Sequence, residues 1–290
     1  PYPSKITAGH IGLWFGISAE NVRYTLDIDS SIVKIYADNR LIAEVFVFDE
    51  PNAGVIRLYE NAEINLHVPA YLSGKPKCGS GIGDNADKMS LGYPKAKFFE
   101  KDGFKWYEQN THTDYSFGIV TYRAGDEIYY TLATTDDDKD YIGYAEKILT
   151  NAAEKGFDKL FDEHKKSRKK YRAKSFVKTG DKLIDETYKK SWYLFKCCSK
   201  KGGYPMPIQG VWTADNDCLP PWKGDYHHDT NTELSYQAYL KANRLEEGEA
   251  FIDYLWRLKP AYEKFAKEFF GVKGILIPSC STLDGKPMGG

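Results

Sequence analysis

The chain has 290 residues, 42% hydrophobic and 28% charged, with 40 basic against 41 acidic side chains and a net charge of −1. That composition is ordinary for a globular protein of one or two domains. Near-neutrality gives no global field to steer the chain toward nucleic acid or an anionic membrane, and no apolar run of about 18 residues occurs that could span a bilayer. Aromatic residues reach 15%, with 22 tyrosines, which suits broad β surfaces or a carbohydrate cleft. The five cysteines are odd in number, include the adjacent pair Cys197-Cys198, and form no C-x-x-C metal signature. A disulfide framework is therefore not expected. The first residues lack a basic stretch followed by an apolar core, so a signal peptide is expected to be absent or already removed.

Up to about residue 135 the apolar period is two. Val22, Tyr24, Leu26 and Ile28 alternate with Arg23, Thr25 and Asp27, which predicts a strand with one face turned inward. Ile64-Leu66-Val68 and Ile128-Tyr130-Leu132 repeat the pattern, and Phe46-Val47-Phe48 and Phe117–Val120 are further candidates. Many short strands without a long helical period predict an antiparallel β-sandwich over residues 1–140. Between the strands, residues 73–94 form one Gly-rich stretch long enough to be a functional or disordered loop. Its Gly79-Ser80-Gly81-Ile82-Gly83 run lacks the Gly-Lys-Ser/Thr of a phosphate loop and reads as flexibility.

The period then switches to that of a helix. Residues 143–155 predict a helix closed by Gly156, and 157–171 a second with Phe157, Leu160, Phe161 and His164 on one face. The basic tail Lys165–Lys170 of that second helix has no aromatic interleaving and reads as a solvated face rather than a nucleic-acid contact. Residues 141–178 are thus expected as linker helices. From 179 onward helices continue. Ile184, Tyr188, Trp192 and Phe195 form one stripe, and Phe251, Leu255, Leu258, Tyr262, Phe265 and Phe269 another, with Pro260 a break or kink.

The densest chemistry lies between Pro205 and Tyr239, where Trp212, Trp222, Tyr226, His227, His228, Asp229, Asn231 and Glu233 fall among Gly and Pro punctuation. Flat aromatic faces cover the C–H faces of a sugar ring, while fixed carboxylates, amides and imidazoles hydrogen-bond its hydroxyls. Asp229 can be a catalytic base or, with Thr230, the cap of a helix starting near Asn231. His227 and His228 are consecutive, so on extended backbone only one is expected to face a cleft, and a packed core histidine is the other reading. Trp212 and Trp222 can be sugar platforms or plugs that hold their loops, and Gln209 and Asn216 can bind sugar hydroxyls or turn backbone. A metal site from Asp225, His227, His228 and Asp229 is chemically conceivable, but the spacing matches no standard motif, so neither metal nor cofactor is expected.

The run Gln209-Gly210-Val211-Trp212, Asn216, Pro220-Pro221-Trp222, Asp225-Tyr226-His227 and Asp229-x-Asn231-Thr232-Glu233 resembles glycoside hydrolase family 95, which contains α-L-fucosidases and α-L-galactosidases. Two positions depart from the family pattern: Asp229 stands where the family has Asn, and Ser235-Tyr236-Gln237 replaces Asn-Tyr-Trp. The resemblance implies a multi-domain chain in which an N-terminal β-sandwich and linker helices lead into an (α/α)6 barrel. Residues 179–290 would then be an incomplete first part of that barrel, and the chain a fragment with its general acid beyond Gly290. It also implies inverting hydrolysis of an exo-linked hexose or deoxyhexose, with Asp229 and Asn231 holding or activating the attacking water. His227 would bind substrate with Trp212, Trp222, Asn216, Gln209 and Tyr226, while Glu233 and His228 would stand behind them. The implied partner is a small-molecule or oligosaccharide substrate, with no nucleic acid and no membrane. A periplasmic or secreted location rests on the resemblance alone. Two other readings stay open: a carbohydrate-binding fragment without turnover, and a phosphorylase of a related (α/α)6 clan.

Overall fold

The computed structural model describes residues 7–68, 93–111, 113–208, 210–212 and 224–288. Gln209, Asn216 and Trp222, three of the expected sugar contacts, lie outside them, as does nearly all of the Gly-rich stretch at 73–94. The chain divides between Arg172 and Ala173 into two compact units. No helix among the described residues is long and apolar enough to cross a membrane.

The first unit is a large antiparallel sheet followed by two helices. In chain order its strands are β1 (His10–Trp14), β2 (Val22–Asp27), β3 (Ile32–Ala37), β4 (Arg40–Phe48), β5 (Ala53–Leu58), β6 (Glu63–His67), β7 (Lys97–Lys101), β8 (Phe104–Asn110), β9 (Ser116–Ala124) and β10 (Glu127–Thr134). Eight form one sheet in the order β2-β3-β4-β5-β10-β9-β8-β7, while β1 and β6 pair as a separate ribbon. Short turns set the hairpin registers. Asp38-Asn39 and Asp102-Gly103 both hold positive φ at two consecutive residues, the backbone that joins twisted antiparallel strands most tightly.

Alternation gives the sheet two apolar faces. On one, Ile56 and Leu58 of β5 and Ile128 of β10 pack with Ile11, Leu13, Ile64 and Leu66 of the ribbon. On the other, Phe46, Phe48, Val55, Val120 and Tyr129 meet the helices α1 (Tyr141–Lys155) and α2 (Phe157–Arg172) through Leu149, Phe157 and Leu160. These helices start and stop where their sequence permits. Asp140 caps α1 by accepting from Gly143 N at 3.1 Å, and Gly156 ends it at φ 75°, which costs a glycine little. Glu127 then seats the head of α2: its carboxylate accepts from Phe157 N at 3.2 Å and from Arg57 at 2.9 Å. Arg57 also pairs with Asp158 at 2.7 Å and lies 4.0 Å over the Phe157 ring.

Two expectations for this unit are corrected. Strand β2 is an edge strand whose Val22, Tyr24 and Leu26 are 55%, 67% and 47% exposed, so the face expected to turn inward is open. The basic tail of α2 is not wholly solvated either. Arg168 is buried and paired with Asp49 at 3.2 Å, while Ser167 donates to the same carboxylate at 2.6 Å.

The second unit is helical: α3 (Lys182–Cys198), α4 (Asn231–Tyr236), α5 (Leu245–Arg257) and α6 (Lys259–Phe270), with a short pairing of β11 (Tyr226–His227) and β12 (Cys280–Ser281). Asp181 caps α3 through Leu183 N at 2.8 Å and Ile184 N at 3.2 Å. Phe195 of α3, Tyr236 of α4 and Phe251 of α5 form the core, with Trp192, Met206 and Leu255 against it. Pro260 sits in the first turn of α6, where its missing N–H removes no intrahelical bond, so it opens a helix rather than kinking one. One buried polar chain links three segments of this unit. Tyr236 accepts from Met206 N at 2.7 Å and lies 2.9 Å from Ser199 Oγ, and Ser199 in turn donates to Glu247 O at 2.7 Å.

Candidate active site

Strands β11 and β12 bring the centre of the motif onto fixed backbone. Tyr226 pairs with Ser281 and His227 with Cys280, and His228 N donates to Ser279 O at 2.7 Å. Alternation then sends neighbouring side chains to opposite faces. Tyr226 is buried, donates to Pro205 O at 2.9 Å and lies 4.9 Å from the Tyr254 ring. It therefore anchors the strand and does not open toward a ligand. Burial pushes its hydroxyl pKa well above the ordinary tyrosine value.

His228 turns into the same core. Its side chain is 1% exposed, stacked between the rings of Tyr226 and Phe251, and its Nε2 lies 3.2 Å from Ser281 Oγ. Burial first, and the neighbouring His227 second, push its pKa down to about 4, so it is neutral at pH 7. The 4.0 Å approach of Nδ1 to Glu233 Oε1 is consequently neither an ion pair nor short enough for a hydrogen bond.

His227 is the histidine that leaves this core. It is half-buried, and its Nε2 lies 2.8 Å from Oδ1 of the buried Asp225. Cys280 stands across the strand pair from it, so that one ligand atom each from Asp225, His227 and Cys280 falls within 4.8 Å of the others. Burial and the carboxylates of Asp225 and Asp229 raise the Cys280 thiol pKa. Sequence reasoning missed Cys280 and Ser281. Nothing in the local sequence marks them, and strand register alone brings them to the histidines.

Asp229 and Asn231 lie exposed where α4 begins, and Glu233 is in its first turn with a side chain 46% exposed. The capping residue of α4 is Thr230, which makes no side-chain capping bond, so the helix does not use this polar run as its cap. Trp212, half exposed after Gly210 at φ 70°, presents an aromatic face. Thus Asp225, His227 and Cys280 are brought together, Asp229, Asn231 and Glu233 gather at the head of α4, and Tyr226 and His228 belong to the core behind.

No curated protein matches the chain. Among solved structures, one described as "Putative kojibiose phosphorylase from human microbiome" is similar to it in fold, with a TM-score of 0.61 at 13% sequence identity, covering 92% of this chain. The chain spans 39% of that protein's length. The glycosyl hydrolase family 95 catalytic domain matches residues 139–286, just over half of the chain, and takes in both the polar run at α4 and the β11–β12 pair. On that match the chain belongs to glycosyl hydrolase family 95.

Proposed function

We propose that the protein carrying this chain is an inverting glycoside hydrolase that releases a terminal hexose or deoxyhexose from an α-L-fucoside or α-L-galactoside type of substrate. The observation behind it is the exposed carboxylate and amide of Asp229 and Asn231 at the head of α4, not spent on capping that helix. Inversion requires a base on one side of the sugar and an acid on the other, roughly 6.5–9.5 Å apart so that water fits between. In this reading Asp229 takes a proton from the attacking water and Asn231 orients it. Glu233 stands behind them on the same side of the sugar, and the general acid comes from another barrel segment. His227, held by Asp225, binds a sugar hydroxyl, and Trp212 supplies an aromatic platform, with Gln209, Asn216 and Trp222 completing the pocket. The sheet would be part of a β-sandwich, and the helical unit part of an (α/α)6 barrel.

The deciding experiment is NMR observation of the first-formed sugar from aryl α-L-fucoside and α-L-galactoside. The expected product has the inverted anomeric configuration and forms at a rate independent of inorganic phosphate. Retention would overturn the water-activating roles of Asp229 and Asn231. Phosphate-dependent cleavage would make the protein a phosphorylase, and saturable sugar binding with no turnover would make it a binding module.

A further inference from the structure

We propose that Asp225, His227 and Cys280 form a binding site for a divalent transition-metal ion of zinc type. The proposal does not depend on the hydrolase reading. A carboxylate, an imidazole and a thiol meet here because β11 and β12 pair His227 with Cys280, while the residue just before β11 is the buried Asp225. This is a mixed O/N/S donor set, and thiolate with imidazole favours zinc over magnesium or calcium, which take oxygen ligands.

Dimensions support the assignment. Zinc bonds of roughly 2.0–2.3 Å set tetrahedral ligand separations of about 3.3–3.8 Å. The three ligand atoms here lie within 4.8 Å of one another, with Asp225 Oδ1 and His227 Nε2 at 2.8 Å. An ion would open the carboxylate–imidazole contact by about 0.5 Å and draw the sulfur in by about 1 Å, which side-chain rotation can supply without moving the paired strands.

Metal binding releases the thiol proton to solvent. Three protein ligands leave a fourth position for water.

The test is cobalt(II) titration of the metal-stripped 290-residue chain, followed by its near-ultraviolet thiolate-to-cobalt charge-transfer band and then by displacement with zinc. One equivalent per chain is expected to produce the band. Cys280→Ser should abolish it and weaken zinc binding by at least about 10–100-fold, since even residues behind the ligands cost that much. A variant with Cys78, Cys197, Cys198 and Cys218 all changed to Ser should retain it. Asp225→Asn should keep the band but weaken binding, and far-ultraviolet circular dichroism checks that each variant is folded. Absence of the band in the unaltered chain, or its survival in folded Cys280→Ser, overturns the proposal.

Discussion

At the scale of single residues, the two adjacent histidines show how burial assigns roles. His228 is held neutral by the rings around it, with a pKa near 4, while His227 sits beside a buried carboxylate. Asp229 is the position where mutation is most informative. If its carboxylate removes the proton from water in the transition state, Asp229→Asn should lower kcat by roughly 10²–10⁴-fold with little change in KM. Steady-state kinetics on an aryl α-L-fucoside measures this. Near-normal kcat would mean that an amide suffices at this position, as in the family pattern, and that another carboxylate is the base. Asp225→Asn separates positioning from chemistry. It should raise KM more than it lowers kcat if Asp225 only orients His227 toward a sugar hydroxyl, because uniform binding is then what is lost.

At the scale of elements, the junction between sheet and helices turns on one carboxylate. Glu127 joins β10 to the head of α2 by holding both Arg57 and the Phe157 amide, and its side chain is 16% exposed. Removing it leaves a largely buried guanidinium and a helix-terminal N–H short of an acceptor. Glu127→Ala should therefore destabilise the first unit by about 1–3 kcal/mol, more than an exposed ion pair would. Urea unfolding measures the loss. The double variant with Arg57→Ala should cost less than the sum of the single changes, since either single change already removes the contact the two share. Strict additivity would show that the two residues act separately.

At the scale of the whole molecule, both units carry a buried neutral histidine. His164 packs against Phe46 and Phe161 with Nε2 3.3 Å from Ser31 O. Burial first, then Arg168, bring its pKa down to about 4. Against an unfolded value of 6.5, the unfolded chain binds more protons than the folded one between pH 6.5 and 4. Stability should accordingly be full above pH 6.5 and fall as the pH drops toward 4, by at most about 3 kcal/mol per histidine. Asp158, Asp185 and Asp284, whose pKa values are lowered below 3.8, add their losses only at more acid pH. Urea midpoints at pH 7 and 4.5 should differ in this direction, and His164→Gln should reduce the difference. An unchanged slope in that variant would remove His164 as a source.

Local chemistry in the sequence determined much of this protein. An apolar period of two gives strands and one of about 3.6 gives helices, whatever lies elsewhere in the chain. The sheet-then-helix order and the end of α1 at Gly156 follow from that, and the motif around Asp225–Glu233 carries the family likeness. What only the tertiary structure decided is which neighbours each side chain meets. Val22, Tyr24 and Leu26 alternate like a buried strand, yet they lie on an edge that nothing among the described residues covers. Phe251 and Phe269 share one predicted stripe, yet the first is 5% exposed and the second 69%, because α5 and α6 are separate helices with different packing. His228 and Ser281 meet across 53 residues, and Cys280 reaches His227 by the same pairing. Periodicity reports which face of an element is apolar. Contact across so long a loop is fixed by the register of backbone hydrogen bonds, which no local pattern encodes.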